Sequence, residues 1–191
     1  MQTIVIYPGR FQLFGKHHGS VYKYLTALHG PDVYIATSNK VELPDSPFSF
    51  SEKLPFIEQW VPKNKIKLVK NPYAPVEILK DFNPEKTSVI FAYSAKDAGR
   101  LAYNKANGEP GYFKPYNMGI QLESYTKHGY VEIVPEFHIK FKGKDLSGTY
   151  IRQILKNMAL DMDSRSNKRD FETLFGFFNK PTYLYVLNRM K

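Results

Sequence analysis

Short hydrophobic runs alternate along the chain with segments in which apolar residues recur every three or four positions. Runs rich in β-branched residues predict buried strands, and the wider spacing predicts amphipathic helices. We predict five strands, over residues 3–7, 32–37, 65–69, 88–93 and 130–134. The first predicted helix begins near His18, has its apolar face at residues 21–28 and stops at Gly30. Further helices are predicted at residues 52–61, 75–82 and 149–158.

Alternating strands and helices are typical of βαβ units and a parallel sheet. We therefore predict an α/β chain with a Rossmann-like three-layer fold, a five-stranded mainly parallel sheet and a single domain over residues 1–191. Residues 96–119 show little periodicity, so we expect a long loop there.

The C-terminal residues predict a helical extension over about residues 163–191. One face of its clearest helix carries a stripe of apolar side chains, and we expect Pro181 to end that helix. The stripe consists of Phe171, Leu174, Phe175 and Phe178. The only tryptophan, Trp60, lies on the apolar face of the second predicted helix, so we expect it in the core.

The composition limits the classes of protein to consider. The chain contains no cysteine, which excludes disulfides and thiolate chemistry and fits a reducing, cytoplasmic compartment. No apolar run approaches the roughly 20 residues of a membrane span, and the N-terminus lacks the basic segment of a secretory signal. We expect no membrane partner.

The formal net charge of +9 favours partners that carry phosphate groups. The cationic residues are spread along the chain and do not form one basic tail, so a phosphate-binding cleft is a better prediction than a nucleic-acid arm. A plain surplus of solvated lysine is the alternative that composition alone leaves open.

Cationic side chains gather between the first predicted strand and its helix. Gly9 gives the backbone room to turn near a ligand, and Arg10, Lys16, His17 and His18 follow it. Neighbouring cations at a helix N-terminus disfavour each other's protonation, and a bound polyphosphate would offset that cost. The segment therefore predicts a phosphate site at the carboxyl end of the first strand.

Three segments resemble motifs of the HxGH nucleotidylyltransferase superfamily. Gly9-Arg10-Phe11-Gln12 with His18 resembles GRFQPxHxGH in the form found in archaeal-type nicotinamide-mononucleotide adenylyltransferases. The segment 146–152, Leu-Ser-Gly-Thr-Tyr-Ile-Arg, resembles (I/Y)SGTxIR. The segment 46–53 is similar to N/S-P-F-T-x-x-E-R, with Lys53 where the family usually has arginine. Together the three motifs span most of the chain.

The resemblance implies an enzyme that transfers a nucleoside monophosphate, most favourably AMP from ATP, to a phosphorylated acceptor such as nicotinamide mononucleotide and releases pyrophosphate. A cytidylyltransferase acting on a sugar or alcohol phosphate is the alternative. The implied cofactor is Mg²⁺ held mainly by the phosphates, without a dedicated protein site. The implied catalytic residues are His18, His17, Lys16 and Arg152. The implied nucleotide-binding residues are Gly9, Arg10, Phe11, Gln12, Lys53, Ser147, Gly148 and Thr149.

The first motif departs from the family pattern. Leu13 replaces its proline, and Gly15-Lys16-His17-His18 stands where His-x-Gly-His is expected. Either His17 or Lys16 supplies the missing contact, or the chain binds nucleotides with impaired catalysis. The Gly-x-His-His form also resembles phage proteins of the cytidylyltransferase-like class, so we expect a phage-encoded protein of the host cytoplasm.

The acceptor site is less well marked in the sequence. The segment 71–77 lacks the tryptophan on which archaeal-type enzymes stack nicotinamide, and Tyr73 is the candidate in its place. After the fourth strand, Lys96 and Arg100 are candidate phosphate ligands and Asp97 a candidate ribose ligand. A packed tyrosine and a charged surface turn are the alternatives. A homo-oligomer is possible on the resemblance, and a nucleic-acid partner is not expected.

Overall fold

The computed structural model describes residues 1–99 and 101–191 and divides them into two compact units. Unit 1 comprises residues 1–9, 21–38 and 64–136, and unit 2 comprises residues 10–20, 39–63 and 137–191. Each unit is assembled from three stretches of the chain. The single domain predicted over residues 1–191 stays a prediction.

Unit 1 contains a six-stranded sheet in which every neighbouring pair of strands is parallel. The strand order is β3-β2-β1-β4-β6-β5, so the order reverses at β1 and β4. In parallel α/β sheets this reversal opens a crevice at the carboxyl ends of the strands. The strands are β1 (Gln2–Pro8), β2 (Val33–Thr37), β3 (Ile66–Leu68), β4 (Thr87–Tyr93), β5 (Phe113–Pro115) and β6 (Gly129–Ile133).

The central strands are continuous apolar runs, and they are buried along nearly their whole length. All seven residues of β4 are buried, and Ile4 and Ile6 of β1 have no exposed surface. Strands covered on both faces need continuous apolar runs, which is the pattern found in the sequence. Their side chains join Phe91 and Val131 in one hydrophobic cluster. The predicted α/β Rossmann-like fold with a parallel sheet is confirmed.

The sheet has six strands where we predicted five. The additional strand β5 is three residues long and pairs with β6 inside the segment predicted as a loop. A three-residue strand is too short to show an alternating pattern, so its partner β6 determines it. The same segment begins with a short helix, α4 (Ala95–Ala98), capped by the Ser94 hydroxyl.

Two further helices pass through or lie in unit 1. Helix α1 (Lys16–His29) begins in unit 2 and enters unit 1 at Val21, and α3 (Val76–Leu79) is a single turn. Near the end of α1, His29 lies 2.5 Å from a carboxylate oxygen of the buried Glu132. None of the helices among the described residues is long and apolar enough to cross a membrane.

Unit 2 is mainly helical. Its aromatic core packs Phe56 against Phe175 at a ring distance of 4.8 Å and Phe171 against Tyr183 at 5.2 Å. A two-strand hairpin, β7 (Lys140–Phe141) and β8 (Lys144–Asp145), precedes the first of the C-terminal helices. The helices are α2 (Phe50–Ile57), α5 (Gly148–Ala159), α6 (Arg165–Phe175) and α7 (Lys180–Arg189).

The predicted C-terminal extension is helical, but the prediction for Pro181 is wrong. Helix α6 ends at Phe175 and is followed by its C-cap Gly176, whose φ of 79° is left-handed, so Phe178 lies beyond the helix. Pro181 lies in the first turn of α7, with Asn179 as the N-cap. Proline is favoured in that turn because its missing N–H has no helical acceptor there in any case.

Trp60 packs directly on helix α1 within unit 2. A Cβ atom added to Gly19 would lie 2.1 Å from Cδ2 of the Trp60 ring, so position 19 admits no side chain without movement. Helix α2 ends at Ile57, four residues earlier than predicted, and Trp60 therefore belongs to the turn that follows it.

We expect Gly19→Ala to destabilise the protein by about 1–3 kcal/mol through overpacking. Helix propensity alone would predict the opposite, a gain of about 1 kcal/mol in the free energy of unfolding. The free energy of unfolding is measured by urea denaturation, with Gly19→Ala/Trp60→Leu as the matched control that removes the collision. A single substitution that stabilises the chain would contradict the packing.

Candidate active site

The segment after β1 is largely buried. It forms side chain–backbone hydrogen bonds with residues 48–53, which lie just before α2 and in its first turn. Phe11 has a positive φ of 47°, whereas Gly9 donates its amide to the Ala36 carbonyl at 3.0 Å and continues the sheet. The Gln12 side chain donates to the Phe48 carbonyl at 2.9 Å and accepts from the Phe48 amide at 2.8 Å. The sharp turn therefore lies at Phe11, two residues later than we predicted.

Lys53 has a different position from the one its charge suggested. Its side chain has no exposed surface, and Nζ donates to the Arg10 carbonyl at 3.0 Å. Burial lowers the pKa of Lys53 to about 8. The Lys53 ammonium and the Gln12 amide thus hold the segment from Arg10 to Gln12. Their predicted direct contact with a nucleotide stays a prediction.

His18 is fixed in orientation and tautomer by the start of helix α1. The Gly15 amide donates to Nδ1 of His18 at 3.1 Å, and the Gly15 carbonyl accepts the first helical bond from Gly19. This bond is one half of a capping box, with histidine in the place of glutamate, because Gly15 has no side chain to supply the other half. Because Nδ1 is the acceptor, the proton of the neutral ring lies on Nε2, which becomes the donor.

Aromatic rings surround His18. Phe11 lies edge-on at 5.2 Å between ring centroids, Phe14 lies at 5.2 Å, and the His17 ring at 3.8 Å. Burial lowers the pKa of His18 well below its ordinary value of 6.5, and the neighbouring His17 lowers it further. The ring is therefore neutral near pH 7 and ready to donate from Nε2.

The His17 ring occupies the space beside Gly15. A Cβ atom added to Gly15 would lie 3.0 Å from Nδ1 of His17 and 2.7 Å from Cδ1 of Ile151. Nδ1 of His17 is buried and has no hydrogen-bond partner among the described residues. Burial lowers the pKa of His17 to about 4. The glycine and the histidine of the rearranged motif therefore depend on each other sterically.

The contact between Gly15 and Ile151 also brings two helix starts together in unit 2. Ile151 lies in the first turns of α5, so the N-terminus of α5 adjoins that of α1. Each N-terminus presents backbone amides that have no acceptor inside the helix. Together with the positive ends of the two helix dipoles, these amides form an arrangement suited to anions.

The SGTxIR segment forms the first two turns of α5. The Ser147 hydroxyl caps the helix by accepting from the Tyr150 amide at 3.1 Å. Nη2 of Arg152 lies 3.5 Å from the Thr149 hydroxyl, and Nη1 lies 3.5 Å from the position that a Cβ on Gly148 would take. The guanidinium thus lies against the helix start, where Gly148 leaves room for it.

Arg152 also faces Asp45, with 3.5 Å between Nη2 and a carboxylate oxygen. The Asp45 carboxylate is 65% exposed, and an ion pair of that kind contributes little to stability. A phosphate could therefore replace it at small cost. Asp45 was not predicted from the sequence, because an isolated acidic residue in a loop carries no motif.

Three of the four residues predicted for the acceptor, Tyr73, Lys96 and Asp97, lie in unit 1. Tyr73 stacks on Tyr93 at 5.8 Å, and Asp97 accepts from the Ser94 hydroxyl at 3.1 Å. Burial raises the pKa of Tyr93, and Tyr73 and Asp97 raise it further, so the structure brings these side chains together. Lys96 is exposed, and Arg100 lies outside the described residues. The acceptor role of all four stays a prediction.

Tyr93 is the residue of this cluster that sequence analysis missed. Its ring is 2% exposed, and its hydroxyl has no partner within residues 1–99 and 101–191. A buried hydroxyl without a partner is rare and marks a candidate ligand contact. The position of Tyr93 at the carboxyl end of a continuous apolar strand is the feature of the sequence that could have marked it as a candidate site residue.

The described residues contain no group of three or more histidine, aspartate or glutamate side chains that could hold a metal ion. A Mg²⁺ ion that enters with a nucleotide needs few protein ligands, because phosphate oxygens and water complete its coordination. The donor set of unit 2, which consists of amides, imidazoles and a guanidinium, fits the phosphates that would carry the ion.

Two solved structures share the fold over nearly the whole chain. One, from Vibrio parahaemolyticus, is assigned as a nicotinate-nucleotide adenylyltransferase, with a TM-score of 0.54 and 16% identity over 98% of this chain and 100% of that one. The other is the nicotinic acid mononucleotide adenylyltransferase of Plasmodium falciparum, complexed with APC, with a TM-score of 0.53 and 13% identity over 98% and 96%. The chain has the fold of these adenylyltransferases. No family model and no curated protein matches the sequence.

We expect His17 and His18 to remain neutral well below pH 6.5 in the free protein, and we expect a bound polyphosphate to raise the pKa of His17, because its charge stabilises imidazolium. His18 should stay neutral in both states, because its Nδ1 accepts from the Gly15 amide. In the unfolded chain both groups protonate near pH 6.5, so the free energy of unfolding falls as the pH drops from about 6.5 towards 4. Histidine-selective NMR titration, with and without tripolyphosphate, measures both values. Ordinary titration near pH 6.5 in the free protein would contradict the burial.

Proposed function

We propose that this protein is a nucleotidylyltransferase that transfers AMP from ATP to a phosphorylated acceptor and releases pyrophosphate. The adjacent N-termini of α1 and α5 carry the proposal, because they combine unpaired amides with His18 and Arg152. The fold shared with two adenylyltransferases supports it. A protein that only bound phosphate would not require a desolvated imidazole with a defined tautomer.

In the proposed reaction an oxygen of the acceptor's phosphate attacks the α-phosphorus of the nucleotide. A new P–O bond forms, the bond to the bridging oxygen breaks, and pyrophosphate leaves with the electron pair. No covalent enzyme intermediate is required, so the protein positions the substrates and stabilises the developing charge. A Mg²⁺ ion bound to the phosphates would neutralise further charge.

The roles follow from the positions of the donors in unit 2. Nε2 of His18 donates to an oxygen on the α-phosphate, where negative charge grows in the transition state. Arg152 leaves Asp45 and holds the β- and γ-phosphates with two parallel hydrogen bonds. The amides at the start of α5 and the Thr149 hydroxyl bind the same group, and Lys16 adds charge at the start of α1.

His17 takes the part of the first histidine of the family motif. Its ring stands where a side chain on residue 15 would begin, so exchanging the glycine and the histidine keeps an imidazole in nearly the same place. This supports an active enzyme over a catalytically impaired nucleotide-binding protein. The buried, unpartnered Nδ1 of His17 leaves Nε2 as the atom that would meet a phosphate.

For the acceptor we propose a pyridine mononucleotide, with nicotinate and nicotinamide forms as the first candidates. Both structural neighbours are named as adenylyltransferases of nicotinic acid nucleotides. The Tyr73, Tyr93 and Asp97 cluster supplies an aromatic face and polar groups of the kind that such a ring binds. A cytidylyltransferase acting on a sugar or alcohol phosphate is the alternative. For either activity we propose a phage-encoded protein of the host cytoplasm.

The first test is pyrophosphate release with each of the four nucleoside triphosphates, Mg²⁺ and candidate acceptors. We expect turnover with ATP and a pyridine mononucleotide, and His18→Ala should lower it by roughly two or more orders of magnitude. His138→Ala is the matched control, since that imidazole is exposed and paired with Asp145. Turnover with CTP alone would replace the assignment of adenylyl transfer with cytidylyl transfer. The absence of turnover with every pair of nucleotide and acceptor would overturn the assignment as an enzyme.

The second test exchanges the two positions of the rearranged motif. We expect His17→Gly to lower turnover and Gly15→His to lower it as well, because the new side chain meets the His17 ring. The double variant Gly15→His/His17→Gly should recover to within about tenfold of the original protein, since the flexible end of Ile151 can rotate away. A double variant no better than His17→Gly alone would show that His17 is not the substitute.

A further inference from the structure

The C-terminal helix α7 reaches the candidate active site of unit 2 through one carboxylate. Oε1 of Glu52 accepts from the Tyr185 hydroxyl in a short hydrogen bond and from Nη2 of Arg189 at 3.2 Å. Nε of Arg189 lies 3.1 Å from the same Tyr185 oxygen, so the three side chains form a closed network. Nothing in the roles assigned above uses this network.

The other oxygen of Glu52 fixes the start of α2. Oε2 accepts from the Ser49 amide at 2.9 Å and completes a capping box with the Ser49 side chain. One oxygen of the carboxylate therefore accepts hydrogen bonds from side chains of α7, and the other accepts one from the backbone at the start of α2. Moving Glu52 to suit either partner would disturb the other.

The first turn of α2, which Glu52 fixes, also holds residues 10–12, which we call the phosphate-binding loop. Lys53, the next residue, donates to the Arg10 carbonyl at 3.0 Å. Phe48, just before the cap, exchanges two hydrogen bonds with the Gln12 side chain. The segment 48–53 thus connects α7 on one side to the loop at residues 10–12 on the other.

Helix α7 is a rigid anchor for this connection. Tyr183, Val186 and Leu187 are buried, and the Tyr183 hydroxyl donates to the Met162 carbonyl at 3.0 Å. Its ring also packs edge-on against Phe171 at 5.2 Å. A side chain on a well-packed helix loses little further entropy when it holds a partner, so it can restrain the loop.

We infer that Tyr185 and Arg189 are positioning residues, which hold the phosphate-binding loop in place through Glu52 and Lys53. The inference rests on the proposed function only for its kinetic consequence. A loop held in its binding geometry binds triphosphate without a further ordering cost, whereas a loosened loop must be ordered at each binding event. Loss of the contact to α7 therefore weakens binding more than it slows the chemical step.

The test compares Tyr185→Phe/Arg189→Met with Asn188→Ala, an exposed substitution in the same helix. Hydrogen exchange of the amides of residues 10–15 is measured in the ligand-free protein. We expect exchange to become about fivefold faster in the double variant and to stay unchanged in the control, a size suited to partly exposed hydrogen bonds. Unchanged exchange in both variants would overturn the inference, as would faster exchange confined to α7.

Kinetics supply a second readout where the enzyme turns over. The double variant should raise KM for the nucleotide about fivefold and change kcat by less than about twofold. The conservative variant Arg189→Lys should raise KM by less than the double variant does. An equal fall in kcat with unchanged KM would contradict a positioning role. If no triphosphate is turned over, the proposed function fails, and the exchange experiment still decides whether α7 holds the loop.

A double-mutant cycle separates this connection from a general loss of stability. Lys53→Met removes the donor to Arg10 and keeps the volume of the side chain. If Tyr185 acts through Lys53, the effects of Tyr185→Phe and Lys53→Met on the exchange of residues 10–12 are not additive. Additive effects would show that α7 and Lys53 act on the loop independently, and that result would overturn the inference.

Discussion

Buried backbone polar groups must find partners, and in unit 2 the segments 10–15 and 48–53 supply partners for each other. The Gln12 side chain satisfies both the amide and the carbonyl of Phe48, and Lys53 satisfies the carbonyl of Arg10. These contacts determine the path of the chain into α1. The orientation of His18 depends on that path, because its ring is set by the Gly15 amide at the first helical turn.

The same constraint explains why the histidine pair can be rearranged. Position 15 is packed against Ile151, and only one bulky group can occupy the space beside it. In this chain the group is the His17 ring, so residue 15 is glycine. Desolvation by the surrounding rings keeps both imidazoles neutral, which removes the repulsion that two adjacent cations at a helix N-terminus would otherwise cause.

Much of the sheet could be predicted from sequence because β1, β2, β4 and β6 are apolar over most of their length. Strand β5 and the boundary between α6 and α7 could not be predicted, since a three-residue strand has no period and the meaning of Pro181 depends on which helix contains it. In the candidate site, Ser147 and Arg152 have local roles that a motif reveals. Lys53 and Gln12 do not, because their partners are backbone groups about 40 residues away.

The sequence by itself determined the order of five of the six strands of the sheet and the positions of the groups suited to phosphate at two helix starts. Those features depend on periodicity and on capping chemistry, both of which act over a few residues. Only the tertiary structure decided that Lys53 supports a loop, that Tyr93 is buried without a partner, and that Tyr185 and Arg189 hold Glu52. Side chains have such roles because of what packs around them, and that is settled by segments far apart in the chain.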